Sequence, residues 1–579
     1  MRARYFIKTG FHALTAEKRG PSLYDLCDPL LRGRGSGDAH MRKFYQTALA
    51  NLVLRPLLAR AGLPQLRDLS RFRALQDALI TARDQQTPDW RTVGAPLAEL
   101  LDEYPQQHPK PSPARRVTGL PPLAEVDRII MACARDLTGG YSKRGFIPGY
   151  AAFNLAGDPD FRGRDLLVAL EGLNARTYKN ATLLFNLARV FILANPKTAA
   201  LINPPWAGIA EPMWEPVQIR HRSAYYDAFF AEALMDFLDS GLAAPQEVED
   251  IRRIVGQLID FCLTTSRERV HTRHDGSDID VITALAPPPH TRMSRFFWKL
   301  KSDLGFGLYV PDCDTTACSL SAATQFGSAD SILDQPMLDF YCGYQVGNNR
   351  CPSPSVAIND NIDYEGGIVT WIESRDGNRP FGNDLDPTLN LDVLEVSFRN
   401  HARWKIAEHP QRLESLRRIV RFQAQLAASG AFADPRAHIY YLPELYCAYF
   451  GRCYAAFRAM PAETQKAIDR DGNFELIRRH VLAYVTDELI AHEMNPFDAA
   501  LALLALAKLN ADTSLFAPAL DCIVRHFGEG GRRGSYKAYE WNKMKTPARI
   551  LVGGPEATSA FVLSALAHAR RALILTGRH

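Results

Sequence analysis

Apolar residues recur at three- and four-residue intervals along much of this chain of 579 residues. That spacing predicts helices that each bury one stripe. Residues 223–239 (SAYYDAFFAEALMDFLD) carry the pattern and run toward Gly241, a residue suited to the left-handed turn that ends a helix. Residues 245–264 repeat it, with Pro245 placed for a first helical turn. Residues 411–429 end against Gly430, and residues 497–510 and 555–576 are long, apolar and helical in period. Alternating runs of strand length with the spacing of βαβ units are scarce. The predicted class is all-α.

Two stretches interrupt the helices. Pro105, Pro109, Pro111, Pro113, Pro121 and Pro122 mark an extended linker or surface excursion. Three consecutive prolines at 287–289 mark a second break, taken as the domain boundary. Single cores rarely grow beyond about 250–300 residues, so the expected division is 1–290 and 291–579, with the first N-terminal helix free to pack on the second domain. Gly- and aromatic-bearing loops at 138–141, 375–381 and 530–536 follow helices in a faint repeat. Helix pairs joined in this way suggest concentric helical barrels.

Charge and composition narrow the function classes. Sixty-eight basic and 64 acidic residues leave a net charge of +4, too even for a nucleic-acid binder. The longest apolar run, 497–507, is short of the ~18–20 residues that span a bilayer. No signal peptide is legible at the N-terminus. A transmembrane segment is therefore not expected, a peripheral membrane contact stays open, and oligomeric state is not legible. The ten cysteines form no Cys-x-x-Cys pair, which fits buried thiols in a reducing, cytoplasmic setting.

The chemistry gathers at Gly305–Ala323, GFGLYVPDCDTTACSLSAA. An apolar, aromatic approach reaches Pro311. Asp312 and Asp314 then flank Cys313, and Thr315 and Thr316 lead into a run of small residues. One reading is helix capping, since Asp and Thr are good N-cap residues. A second is the Asp-x-Asp-x-Thr motif of haloacid-dehalogenase-type phosphatases, with Asp312 as nucleophile, Asp314 as acid/base and Mg²⁺ as cofactor. That motif needs a buried strand feeding a parallel sheet, and the surroundings here read as helical. A catalytically silent helical scaffold is a further alternative.

The third reading is alkene protonation. The segment resembles the acid motif of class II terpene cyclases and squalene–hopene cyclases, above all the Asp-x-Asp-Thr-Thr variant of drimenyl-diphosphate-type cyclases. Thr315 stands where the commoner motif has a third aspartate. The stretches 380–398 and 545–560 resemble later parts of the same family. The resemblance implies two (α/α) barrels with the pocket between them, and Asp314 as the proton donor. It makes Asp312 and Asn378 candidate hydrogen-bond partners of that acid, with Thr315 and Thr316 donating to the conjugate carboxylate. Trp298, Tyr344, Trp371 and Trp541 are the aromatic residues expected to face a carbocation. Lys299, Arg532, Arg533 and Lys545 are expected to hold a diphosphate together with Mg²⁺. No Asp-Asp-x-x-Asp ionisation motif occurs, so the product would keep its diphosphate. The expected substrate is farnesyl diphosphate, giving a bicyclic drimane-type product; geranylgeranyl diphosphate comes next and squalene last.

Overall fold

Two kinds of helix are distinguished by how much of their circumference is apolar or small. A helix that buries every side must sit inside the molecule, whereas one with a single apolar stripe can cover it. In the computed structural model, the described residues are 95, 98, 99, 112–154, 219–271, 278–284, 311–348, 363–373, 383–531, 534–544 and 549–577, apart from 116, 118 and 336. They are predominantly helical.

The helices are α1 (Leu123–Arg144), α2 (Ala224–Asp239), α3 (Pro245–Asp260), α4 (Cys313–Phe326), α5 (Met337–Cys342), α6 (Pro387–Arg399) and α7 (Pro410–Ala428). They continue with α8 (Pro443–Ala459), α9 (Ala462–Ile468), α10 (Asn473–Tyr484), α11 (Pro496–Lys508), α12 (Ala517–Arg525) and α13 (Pro555–Thr576). Helices α2, α4, α6, α8, α11 and α13 touch in sequence, and α13 returns to α2, which closes a ring of six. These are the helices buried nearly all round: every residue from Ala224 to Phe237, from Cys313 to Ala323 and from Pro387 to Phe398 is buried. The intervening helices form a second layer. In α1 the buried positions are Val126, Ile129, Ile130, Cys133, Ala134, Leu137 and Gly140, a single stripe, and α3, α10 and α12 are similarly one-sided. One continuous core runs from Val126 to Leu573.

Prolines open α6, α8, α11 and α13. At that position the missing N–H costs no hydrogen bond and the fixed φ suits the helix. The predicted helices appear within a few residues of their expected limits. The 245–264 run is split, with α3 ending at Asp260 and a π-helical turn covering Phe261–Thr265.

Two antiparallel sheets, not foreseen in the pattern, lie beside the ring. Strands β1 (Gly149–Asn154), β2 (Ile219–His221), β5 (Glu540–Met544) and β6 (Arg549–Gly553) form one, in the order β2-β1-β6-β5. Strands β3 (Arg267–His271) and β4 (Asp278–Ile282) form the other. Strands β2 and β6 lead directly into the N-termini of α2 and α13, so the larger sheet stands at that end of the ring. Gly149 meets the ring of Tyr226 so closely that a Cβ there would lie 2.6 Å from it.

Helices α1, α2 and α3 precede residue 290, yet α1 packs on α13 and α2 packs on α4 and α13. The break at 287–289 itself lies outside the described residues. No described helix is long and apolar enough to cross a membrane. The eight described cysteines are free thiols.

Candidate active site

The acid motif opens α4 on the inner ring. Asp312 is its N-cap, in extended conformation, and its Oδ1 accepts the N–H of Thr315 at 2.6 Å. Asp314 Oδ1 accepts the same N–H at 2.7 Å. One backbone donor thus draws two carboxyls together at the positive end of a helix. The segment is stitched on both sides. The N–H of Cys313 donates to the carbonyl of Thr370 at 2.8 Å, and that of Ile372 to Pro311 at 3.0 Å. Thr316 Oγ1 accepts the N–H of Ile282 on β4 at 3.0 Å and donates to the carbonyl of Asp312 at 2.8 Å. Its hydroxyl is therefore spent on the backbone and is not available to a carboxylate.

Asp312 and Asp314 are 2% and 8% exposed, which leaves little room for solvation of two charges. Burial, the negative charge of Asp314 and a hydrogen bond with it hold the Asp312 carboxyl well above the usual carboxylate range. That shift favours the protonated form of the Asp312 carboxyl.

Asp314 has a second partner: the Tyr441 hydroxyl donates to its Oδ2. Tyr441 is set in place by Asp386, the N-cap of α6. Asp386 Oδ1 accepts from Thr388 N–H at 2.9 Å, while Oδ2 accepts from the N–H groups of Ile439 at 2.9 Å and Tyr440 at 3.0 Å. Burial alone would raise the Asp386 carboxyl; His438 and the backbone donors of Tyr440 and Thr388 outweigh it and hold it below the usual range. Beside this clamp, Trp371 Nε1 donates to Tyr440 Oη at 2.8 Å, and Tyr440 donates to Asp384 at 2.7 Å.

Inward from Tyr441 the ring is filled with aromatic side chains. Tyr225 and Tyr449 lie 6.2 and 5.8 Å from the Tyr441 ring, centroid to centroid, and their hydroxyls meet at 2.6 Å. Trp541, delivered by β5, packs 5.4 Å from Tyr225, edge-on to Tyr226 at 4.5 Å and to Phe229 at 5.0 Å. Rings in such numbers present negative faces to any positive charge among them.

Of the residues singled out from sequence, Asp312, Asp314 and Thr315 converge, Trp371 lies beside them, and Trp541 belongs to the aromatic interior. Tyr344 packs on Phe340 and accepts the N–H of Glu373 at 3.1 Å; these contacts serve the wall and do not reach the acids. Asn378, Trp298, Lys299, Arg532, Arg533 and Lys545 lie outside the described residues. Tyr441 and Asp386 were missed as site residues. Their signals were faint: an aspartate before the Pro387 that opens a helix, and a Tyr-Tyr pair shortly before Pro443.

The phosphatase reading needs the motif at the end of a strand in a parallel sheet. Among the described residues every paired strand is antiparallel, and the motif opens a helix. Among the described residues no group of three or more His, Cys, Asp or Glu side chains could hold a metal ion. No protein-family model matches the chain, and no curated protein matches it.

Proposed function

We propose that this chain is a class II terpene cyclase, an enzyme that begins its reaction by protonating a carbon–carbon double bond. The observation that carries the reading is the buried Asp312–Asp314 pair, with Asp312 pushed well above the usual carboxylate range, at the end of a helical ring whose interior is aromatic. An alkene is a very weak base. Its protonation needs a neutral acid kept from water, and burial next to a second carboxyl supplies that.

Asp314 is the donor in this reading. Its neighbour Tyr441 faces the aromatic interior, whereas Asp312 sits behind it as the helix cap. As the proton leaves, the Tyr441 O–H and the Thr315 N–H stabilise the carboxylate that forms. The carbocation then cyclises among Tyr225, Tyr449, Trp541 and their neighbours, which stabilise positive charge without reacting with it.

The closed six-helix ring with its outer layer supports an (α/α) barrel of the kind the resemblance implies for the domain that carries the acid motif. Farnesyl diphosphate is the proposed substrate and a bicyclic drimane-type diphosphate the product, with geranylgeranyl diphosphate as the alternative. Lys299, Arg532, Arg533 and Lys545 are the proposed diphosphate ligands, acting together with Mg²⁺. A cytoplasmic location belongs to the same proposal.

The test is incubation with farnesyl and geranylgeranyl diphosphates and Mg²⁺, then phosphatase, then gas chromatography–mass spectrometry. A bicyclic alcohol released only by phosphatase, and lost in Asp314→Ala, is the expected result. Recovery of only linear alcohols from these substrates and from squalene would overturn the proposal.

A further inference from the structure

The contact between Tyr441 and Asp314 joins two segments that are far apart in the chain. A hydrogen bond between side chains is only as well aligned as the backbones that carry them. Here both backbones lead back to one buried amide.

Asn390 stands on α6 one turn after the N-cap Asp386, and it is fully buried. Its Oδ1 accepts the N–H of Ile368 at 2.6 Å. Its Nδ2 donates to the carbonyl of Ile368 at 3.1 Å and to that of Asp386 at 3.0 Å. The amide thus pairs with both backbone groups of Ile368, as a neighbouring strand would, and gives its other N–H to the helix cap.

Just beyond Ile368, the Thr370 carbonyl accepts Cys313 N–H at 2.8 Å and the Ile372 N–H donates to Pro311 at 3.0 Å. This segment therefore fixes the backbone on both sides of Asp312, next to Asp314. Asp386 in turn holds the N–H groups of Ile439 at 2.9 Å and Tyr440 at 3.0 Å, directly before Tyr441. One side chain touches the supports of both partners. A parallel tie runs through Asp384, whose carbonyl accepts Thr370 N–H at 2.7 Å and whose carboxylate accepts the Tyr440 hydroxyl at 2.7 Å. With that tie in place, loss of the amide should misalign the contact without releasing the segments.

A primary amide supplies one acceptor and two donors at this spot. A leucine of similar size would leave three backbone groups unpaired in a dry place. An aspartate, when ionised, would face two carbonyl oxygens; as a neutral acid it has a single O–H to offer them.

We propose that Asn390 is a positioning residue: it holds the start of α4 and the segment before Tyr441 in the register that lets Tyr441 bond Asp314. Its three bonds all go to backbone, so it acts through Tyr441 and Asp314 and takes no part in the proton transfer itself. The effect on turnover rests on the cyclase reading, and the effect on the contact does not.

The far end of the same helix supplies the control. Asn400, the C-cap of α6, is also buried and donates to the Val396 carbonyl at 3.0 Å and to Thr324 Oγ1 on α4 at 3.0 Å. Asn390→Leu and Asn400→Leu should lower the melting temperature alike. In steady-state assays Asn390→Leu should lower kcat by about tenfold or more with KM within about threefold, while Asn400→Leu should keep kcat within about twofold of wild type. Asn390→Asp gives a second test if the leucine variant does not fold. Its kcat relative to wild type should fall as pH rises, because the neutral acid can still bond one carbonyl and the carboxylate repels both. Nuclear magnetic resonance of protein carrying tyrosine isotope-labelled at Cζ reads the contact directly. The Tyr441 signal, identified by its loss in Tyr441→Phe, should move in both Asn390 variants and stay in Asn400→Leu. A Tyr441 signal unmoved in both Asn390 variants, or kcat lowered equally by the two leucine variants, would overturn the inference while leaving the cyclase reading intact. A wild-type protein that cyclises nothing would remove the cyclase reading, and the Tyr441 signal would still decide whether Asn390 sets the contact.

Discussion

At the scale of single residues, the site is a problem in placing protons where water cannot help. Two carboxyls share one backbone N–H, and one phenol holds the second oxygen of Asp314. Tyr441→Phe keeps the ring in its aromatic surroundings and removes only the O–H donor. A hydrogen bond to a charged group contributes about 1.5–3 kcal/mol, so kcat should fall by roughly 10–100-fold while the melting temperature stays close to that of the parent. An unchanged kcat in steady-state assays would exclude Tyr441 from the chemistry. A second buried acid gives a pH prediction. Asp227 pairs with Arg222 at 2.7 Å, but burial outweighs that pair and pushes its carboxyl up to about 7. A carboxyl raised in the folded state binds its proton more tightly there than in the unfolded chain. Its contribution to stability is present at low pH and is lost as pH rises from about 4, the unfolded value, through about 7. Asp227→Asn does not titrate, so its stability relative to wild type should improve over that window, by at most about 1.4 kcal/mol per pH unit. Parallel denaturation curves across pH 4–8 would contradict this.

At the scale of elements, the inner helices are recognisable by apolar or small residues on every face, and the outer ones by a single stripe. Predicted limits for α2, α7, α11 and α13 fell within a few residues of those observed, because helical period and end signals are local properties of the chain. The strands were not legible. β1 pairs with β6, about 400 residues later in the chain, and no local pattern announces a partner so distant. At Gly149 the close approach of Tyr226 has a direct consequence. Gly149→Ala should cost about 1–3 kcal/mol through displacement of that ring, read as a lower denaturation midpoint. A midpoint equal to the parent's would mean that the strand shifts freely.

At the scale of the whole molecule, the ring closes only because segments from both halves of the chain meet. Helix α1 covers α13, Asp127 pairs with Arg570 at 2.6 Å, and Asp136 accepts from Ser535 N–H at 2.7 Å and Ser559 Oγ at 2.9 Å. A chain beginning at residue 219 would lose β1 and the apolar stripe of α1. Val126, Ile129, Ile130 and Leu137 alone bury four large aliphatic side chains, upward of ~6 kcal/mol at ~1.5–3 kcal/mol each. That is comparable with the whole stability of many domains, ~5–15 kcal/mol. The truncated protein should aggregate on size-exclusion chromatography and melt without cooperativity. A monodisperse, cooperatively melting product would show that α1 is dispensable.

What the chain determined by itself was what its local order can encode: helical class, most helix limits, and the Asp312–Asp314 motif at a helix start. The acid's surroundings came only with the tertiary structure. Tyr441 lies 127 residues after Asp314 and reaches it because Asp386 gathers the backbone at 439–440. Trp541 reaches the interior on a strand whose neighbour β6 is completed by β1. Asp392 reads in sequence as one more polar residue of an amphipathic helix. It becomes a buried carboxyl only because α6 packs between α4 and α8 in the ring and under α7. Local patterns specify what each segment can be, but the dryness that makes a carboxyl an acid at neutral pH depends on what surrounds it, and that is decided by packing between distant parts of the chain.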